Sequence, residues 1–102
     1  MELRNIKTFI NAAETESFTA AALREGYAKS TVTQQIQTLE RELNAQLFIR
    51  SGRRVSLSSA GRELLRFARR MTALEQETLA KFHGTAEPAG SFFIGIIETL
   101  AT

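Results

Sequence analysis

Residues 17–61 read SFTAAALREGYAKSTVTQQIQTLERELNAQLFIRSGRRVSLSSAG. Two helical patterns, split by a tight break, lead into an arginine-rich hairpin. Ser17 has the position and chemistry of a helix N-cap, and Phe18 to Arg24 read as a short helix behind it. Ala20, Ala21 and Ala22 carry almost no side chain, so another helix can pack close against them. Gly26 ends the segment, because glycine enters the left-handed backbone region at little cost.

The next helix runs roughly from Lys29 to Leu43. Val32, Ile36, Leu39 and Leu43 are spaced 4, 3 and 4 residues apart, which predicts one buried stripe. At about 100° per residue, Ser30, Thr33, Gln34, Gln37 and Arg41 fall on the opposite side. That side carries no acidic residue, whereas an ordinary solvated helix face mixes both signs. Ser, Thr and Gln donate and accept hydrogen bonds without repelling phosphate, which suits them to base-pair edges. Leu47-Phe48-Ile49-Arg50, a turn at Ser51-Gly52, and Arg53 to Leu57 then read as a β-hairpin. Val55 and Leu57 can lie on the helices while the arginines project outward as a basic wing.

Working outward, Leu3, Ile6, Phe9, Ile10 and Ala13 predict an amphipathic first helix. After the hairpin, Ser58 is a plausible N-cap for a fourth helix of about 24 residues, roughly 36 Å long at the α-helical rise. Leu64, Phe67, Ala68, Met71, Leu74, Thr78, Leu79 and Phe82 form a mostly apolar stripe along it. Such a helix outruns a small three-helix core. Its far half needs a partner, of which a second copy is the simplest and a further domain the other option. Residues 84–91 read as a hinge with the only proline of the chain. Phe92 to Ile97 is an apolar run of strand length with no strand to pair with. The chain stops soon after, at Thr102, which predicts a piece of a longer protein or a product truncated just inside a second domain. The expected divisions are therefore 1–58, 59–83, 84–91 and 92–102.

Composition excludes several function classes. With no cysteine, neither a disulfide nor a thiolate zinc site can form, and one histidine rules out a multi-histidine metal site. The glycines lack phosphate-loop spacing, so no nucleotide cofactor is expected. No set of histidine, carboxylate and nucleophile suggests an enzyme, and His83 reads as a solvated residue at a helix end. No apolar run approaches the roughly 20 residues of a membrane span. MELRNIKTFI lacks the long apolar core of a signal peptide, so a cytoplasmic protein is expected. Net charge is only +2, but its distribution is uneven. Arg24 to Arg70 holds ten cations against four anions, a balance of +6, and nine of those cations are arginine. Arginine suits phosphate and guanine geometry better than lysine does.

Taken in order, a set of these residues resembles the LysR-type family of bacterial transcriptional regulators. They are Phe9, Ser17-Phe18-Thr19 with Ala21-Ala22, and Val32-Thr33 with Gln35-Ile36 and Leu39-Glu40. Leu47-Phe48 with Arg50, then Arg53, Val55, Leu57, Ala60 and Gly61, complete the pattern, which covers nearly the whole chain. The resemblance implies a mostly α fold. A winged helix-turn-helix of three helices plus a β-hairpin wing would be followed by a long dimerisation helix, a hinge and an effector domain. Phe92 to Ile97 would be the first strand of that domain, and Thr99 would stand where the family often places a hydroxyl of the effector pocket. A small-molecule effector is expected only in a full-length parent.

The chain also departs from the family pattern. Ala28-Lys29 stand where Ser-Gln is usual. Loss of the serine cap costs about 1 kcal/mol, and Lys29 offers a cation to phosphate or guanine in place of glutamine. Glu25 replaces a usual leucine and Leu23 is apolar where polar is common, which predicts a slightly rotated second helix. Asn44 replaces the usual glycine after the third helix, a mild change because asparagine tolerates the left-handed conformation.

The expected function is sequence-specific binding of double-stranded DNA by a homodimer on a pseudo-palindromic operator. Ser30, Thr33, Gln34 and Gln37 are the candidates for base edges, with Lys29 and Thr31 at the helix start. Arg50, Arg53 and Arg54 are the candidates for phosphates or the minor groove, and the start of the second helix near Ser17 and Thr19 offers backbone N–H groups. Leu64, Phe67, Met71, Leu74, Thr78 and Phe82 are the candidates for dimerisation. The alternative is a protein-interaction module built on a winged helix and a long helix, without DNA binding.

Overall fold

The structure is a computed structural model that describes residues 1–83. Its elements are α1 (Leu3–Thr15), α2 (Phe18–Glu25), α3 (Lys29–Leu43), β1 (Phe48–Ser51), β2 (Arg54–Leu57) and α4 (Ser59–Phe82). The hinge expected at 84–91 and the strand expected within 92–102 lie outside the described residues. The chain divides into one unit, Met1–Thr72, and a second that begins at Ala73.

The first unit is built on a single apolar core. Ile6, Phe9 and Ala12 of α1 meet Phe18, Ala21 and Ala22 of α2 and Val32, Ile36 and Leu39 of α3. Leu47, Phe48 and Val55 close it from the hairpin side, and Leu64 and Ala68 from α4. Phe48 is the pivot. Its ring lies 5.5 Å from Phe9 in a tilted pair and 5.3 Å from Phe18 in an edge-to-face pair. Each such pair adds roughly 0.5–1.5 kcal/mol beyond the area it buries.

Local chemistry sets the helix ends. The Ser17 hydroxyl accepts the Ala20 N–H at 3.0 Å, and Gly26 turns left-handed at φ 74° to close α2. Ala28 has the extended backbone of an N-cap and no side-chain bond to offer α3. Asn44 ends α3 in the left-handed region at φ 52°. The stripe on α3 is shorter than expected. Leu43 is 39% exposed, because the helix stops there and its last turn runs off the core.

The hairpin is also displaced from its expected position. Phe48 pairs with Leu57 and Ser51 with Arg54, so the loop is Gly52-Arg53 rather than Ser51-Gly52. Gly52 adopts φ 64° there, and Arg53 sits at the tip instead of opening the second strand. Leu47 precedes β1 and is itself core. Its N–H donates to Glu40 Oε2 at 2.9 Å, and its carbonyl accepts the Ser58 N–H at 2.9 Å. Ser58 then starts α4, its hydroxyl accepting the Gly61 N–H at 3.0 Å. α4 crosses so close that a Cβ on Gly61 would lie 2.2 Å from the Leu47 carbonyl oxygen.

Of the two unusual residues of α2, only Glu25 is taken up by α1. Leu23 is exposed, and Glu25 is half-buried with its carboxylate accepting from the Asn11 amide. Arg24 donates to Asn11 Oδ1 at 3.0 Å and to Glu14 Oε1 at 2.8 Å. The second oxygen of Glu14 lies 3.4 Å from Arg69 of α4.

Leu64, grouped by spacing with the dimerisation stripe, is only 8% exposed and packs in the core of its own chain. It is therefore removed from the residues a partner helix could cover. Met71 is half-buried against the same core. Phe67 is exposed, and its ring carries the Arg70 guanidinium at 5.6 Å. Among its described residues the second unit is the last part of α4. Leu74, Leu79 and Phe82 are exposed there, and the Thr78 hydroxyl donates to the Leu74 carbonyl at 2.8 Å.

Candidate nucleic-acid interface

The buried stripe Val32, Ile36 and Leu39 fixes which way α3 turns. Ser30, Gln34, Gln37 and Arg41 consequently face solvent, and Thr33 is half-buried beside them. Lys29, Ser30, Thr33, Gln34 and Gln37 line one open depression on that side. Five of the six helix residues predicted to meet bases are thus brought together. Thr31 is the exception: it is half-buried on the flank and does not line the depression. Arg41 is tied back along the helix, donating to the Thr38 hydroxyl at 3.3 Å.

A second groove separates α3 from the wing. Thr33 and Gln37 line one side, Gln46, Ile49 and Arg50 the other, and Phe18, Ile36 and Phe48 also contribute to it. Glu40 is the acidic residue in this lining, and its carboxylate is engaged by the Leu47 N–H. The groove therefore presents hydrogen-bonding groups and one arginine over an apolar base.

The three wing arginines, grouped together by sequence, occupy three different environments. Arg50 lies over the Phe18 ring, 5.1 Å from its centroid, in a cation–π contact that holds the guanidinium near the start of α2. Arg53 projects from the loop tip and forms no ion pair among the described residues. Arg54 is paired with the Glu16 carboxylate. Glu16 also takes the Val55 N–H on its backbone carbonyl at 3.1 Å, so one residue of the α1–α2 turn holds two neighbours of β2. Sequence reasoning missed Glu16, Gln46, Ile49 and the platform role of Phe18. Nothing in the spacing links Glu16 to Arg54, which lies 38 residues away. Gln46 and Ile49 look like ordinary loop and strand residues until the groove is assembled.

Among the described residues no group of three or more His, Asp or Glu side chains could hold a metal ion. No helix among them is long and apolar enough to cross a membrane.

The family model for the bacterial regulatory helix-turn-helix protein, lysR family, matches residues 3–62. The HTH-type transcriptional regulator YwqM of Bacillus subtilis (strain 168) is 39% identical over 102 residues, all of this chain and 35% of that protein. The chain therefore spans about a third of the length of the curated relatives it matches. Among solved structures, the CbnR DNA-binding domain in complex with DNA superimposes with a TM-score of 0.79 at 36% identity. That match covers 85% of this chain and 100% of the other. The BenM DNA-binding domain with its benA site 1 DNA gives a TM-score of 0.78 at 31% identity, over 84% of this chain and 100% of the other. A winged helix-turn-helix assembled from these residues, matched by that family model over more than half its length, belongs to the lysR family of bacterial regulatory helix-turn-helix proteins.

Proposed function

We propose that this chain is the sequence-specific DNA-binding part of a bacterial transcriptional regulator, acting as a homodimer on a pseudo-palindromic duplex. The observation that carries the reading is the acid-free outer face of α3, whose Lys29, Ser30, Thr33, Gln34 and Gln37 share one open depression. These side chains can meet donor and acceptor patterns in a major groove. Thr31, on the flank, is reserved for the backbone at the groove's edge. Arg50, Arg53 and Arg54 belong to the phosphate side of the contact, which sets affinity and register rather than sequence. Similar domains of CbnR and BenM have been captured on DNA, which supports the same use here.

Pairing of two copies falls to the exposed positions of α4: Phe67, Leu74, Thr78 and Phe82, with Met71 at their inner edge. A small-molecule effector belongs to a longer parent protein and not to these residues. Acting on bacterial DNA, the chain would work in the cytoplasm, and the reading assigns it no catalytic step.

Selection of duplexes from a random pool, followed by titration of selected and random duplex at about 50 and about 200 mM salt, tests this reading. Tight binding of a two-half-site sequence and weak, salt-sensitive binding of random duplex are the expected results. Salt-independent or absent binding at micromolar protein would reject it.

A further inference from the structure

Among the described residues Glu16 is the one acidic side chain on a wing arginine. It occupies an unfavourable place for a glutamate, the left-handed backbone position that closes α1 at φ 54°, where glycine is the usual solution. Its main chain already accepts the Val55 N–H, so the wing is held in register whatever side chain stands at 16. The carboxylate is thus not needed to dock the hairpin. What it does is occupy Arg54, the residue just before Val55.

Both members of the pair are solvent-exposed, with side-chain exposures of 76% for Arg54 and 44% for Glu16. An exposed ion pair of this kind is weak and is exchanged readily for another anion. Among the described residues Arg50 leans on Phe18 and Arg53 forms no ion pair, so of the three wing arginines only Arg54 carries an acidic competitor there.

We infer that Glu16 competes with the DNA backbone for Arg54 and so limits how many phosphates the wing holds. The inference rests on the DNA-binding reading above. Phosphate neutralisation dominates non-specific binding and sets the salt slope, at about 0.9 per phosphate on duplex DNA. Freeing Arg54 therefore makes binding to random duplex tighter and its slope steeper, by at most about 0.9, the share of one whole phosphate. Between about 50 and about 200 mM salt, that is a further loss of at most about 3.5-fold.

The test is a double-mutant cycle on the full chain, using random duplex across that salt range. Glu16→Gln keeps the shape and removes the charge, and Glu16→Gly removes the charge and also relieves the left-handed backbone. Both are expected to tighten binding and steepen the slope in wild-type background, and to leave the slope unchanged in an Arg54→Ala background. An equal steepening with and without Arg54 overturns the inference, because the carboxylate would then act only by repelling the duplex at a distance. An unchanged slope in both Glu16 variants, with wild-type chain binding normally, overturns the inference alone. A wild-type chain that binds no duplex at any salt overturns it together with the reading it rests on.

Discussion

At the scale of single residues, the proposed interface gives Gln34 and Arg53 different tasks. Gln34 projects from α3 into the depression shared with Lys29 and Ser30. A side-chain amide there discriminates by the donor and acceptor pattern it meets, worth about 1–3 kcal/mol for a good bidentate contact. Gln34→Ala is expected to relax base preference at one position per half-site and leave random duplex binding unchanged. Arg53 at the loop tip is assigned to phosphate, so Arg53→Ala should weaken every sequence alike and flatten the salt slope by about 0.9. Selection from a random pool and titration at several salt concentrations read the two effects separately. If Gln34→Ala weakened selected and random duplex equally, it would not be a base reader. Gly61 is a residue of another kind. A Cβ there meets the Leu57 side chain and, more closely, the Leu47 carbonyl oxygen, which is backbone and cannot swing away as a side chain can. Gly61→Ala should destabilise by about 3 kcal/mol, the upper end for overpacking, visible as a lower urea midpoint.

At the scale of elements, α3 begins without a side-chain cap while α2 has one. Ser17 accepts the Ala20 N–H, but Ala28 leaves the first N–H groups of α3 unserved by any side chain of its own. Ala28 already has extended dihedrals, φ −74° and ψ 152°, so a serine fits without backbone change. Ala28→Ser is expected to stabilise by about 1 kcal/mol, read as an upward shift in the thermal midpoint. No shift would mean that the uncapped N–H groups are already served by solvent at no cost. The ends of α2, α3 and α4 were legible in the sequence because caps and breakers are local: Ser17, Gly26 and Ser58 each act within a few residues. The interior of each stripe was legible for the same reason, since periodicity is a local property. What escaped was set by distant partners. Leu43 follows the period of α3 but has no core beneath it, and Leu64 follows the period of α4 but is claimed by the core of its own chain. The hairpin loop moved by one residue because the pairing of Phe48 with Leu57 fixes the register. In the candidate site the α3 residues could be read from one face of one helix. The separate settings of Arg50, Arg53 and Arg54 depend on Phe18 and Glu16, more than thirty residues earlier in sequence, and no pattern within the hairpin encodes them.

At the scale of the whole molecule, the proposed reading makes affinity depend on whether two copies bind as one. Linking two reading helices makes the second half-site encounter intramolecular, with an effective concentration on the order of millimolar for short connections. A pseudo-palindromic duplex rewards that only if the copies are held together by a surface that is not already part of the core. Leu64 is disqualified by burial, and Met71 is a poor probe because it packs against the core of its own chain. Leu74 is the cleaner test: it is 62% exposed and stands outside that core. A charge placed there costs little in the single chain but is expensive at an apolar contact between two helices. Leu74→Glu is therefore expected to sediment as a folded monomer, its thermal midpoint lowered only by the lost pairing and no longer dependent on protein concentration. Its affinity for one half-site should match wild type, while its affinity for the two-half-site duplex should fall to nearly the single-site value. An unchanged dimer would move the interface off this face of α4. A monomer that still bound the full site as tightly as wild type would show that pairing along α4 contributes nothing to site recognition, and that the DNA itself brings the two copies together.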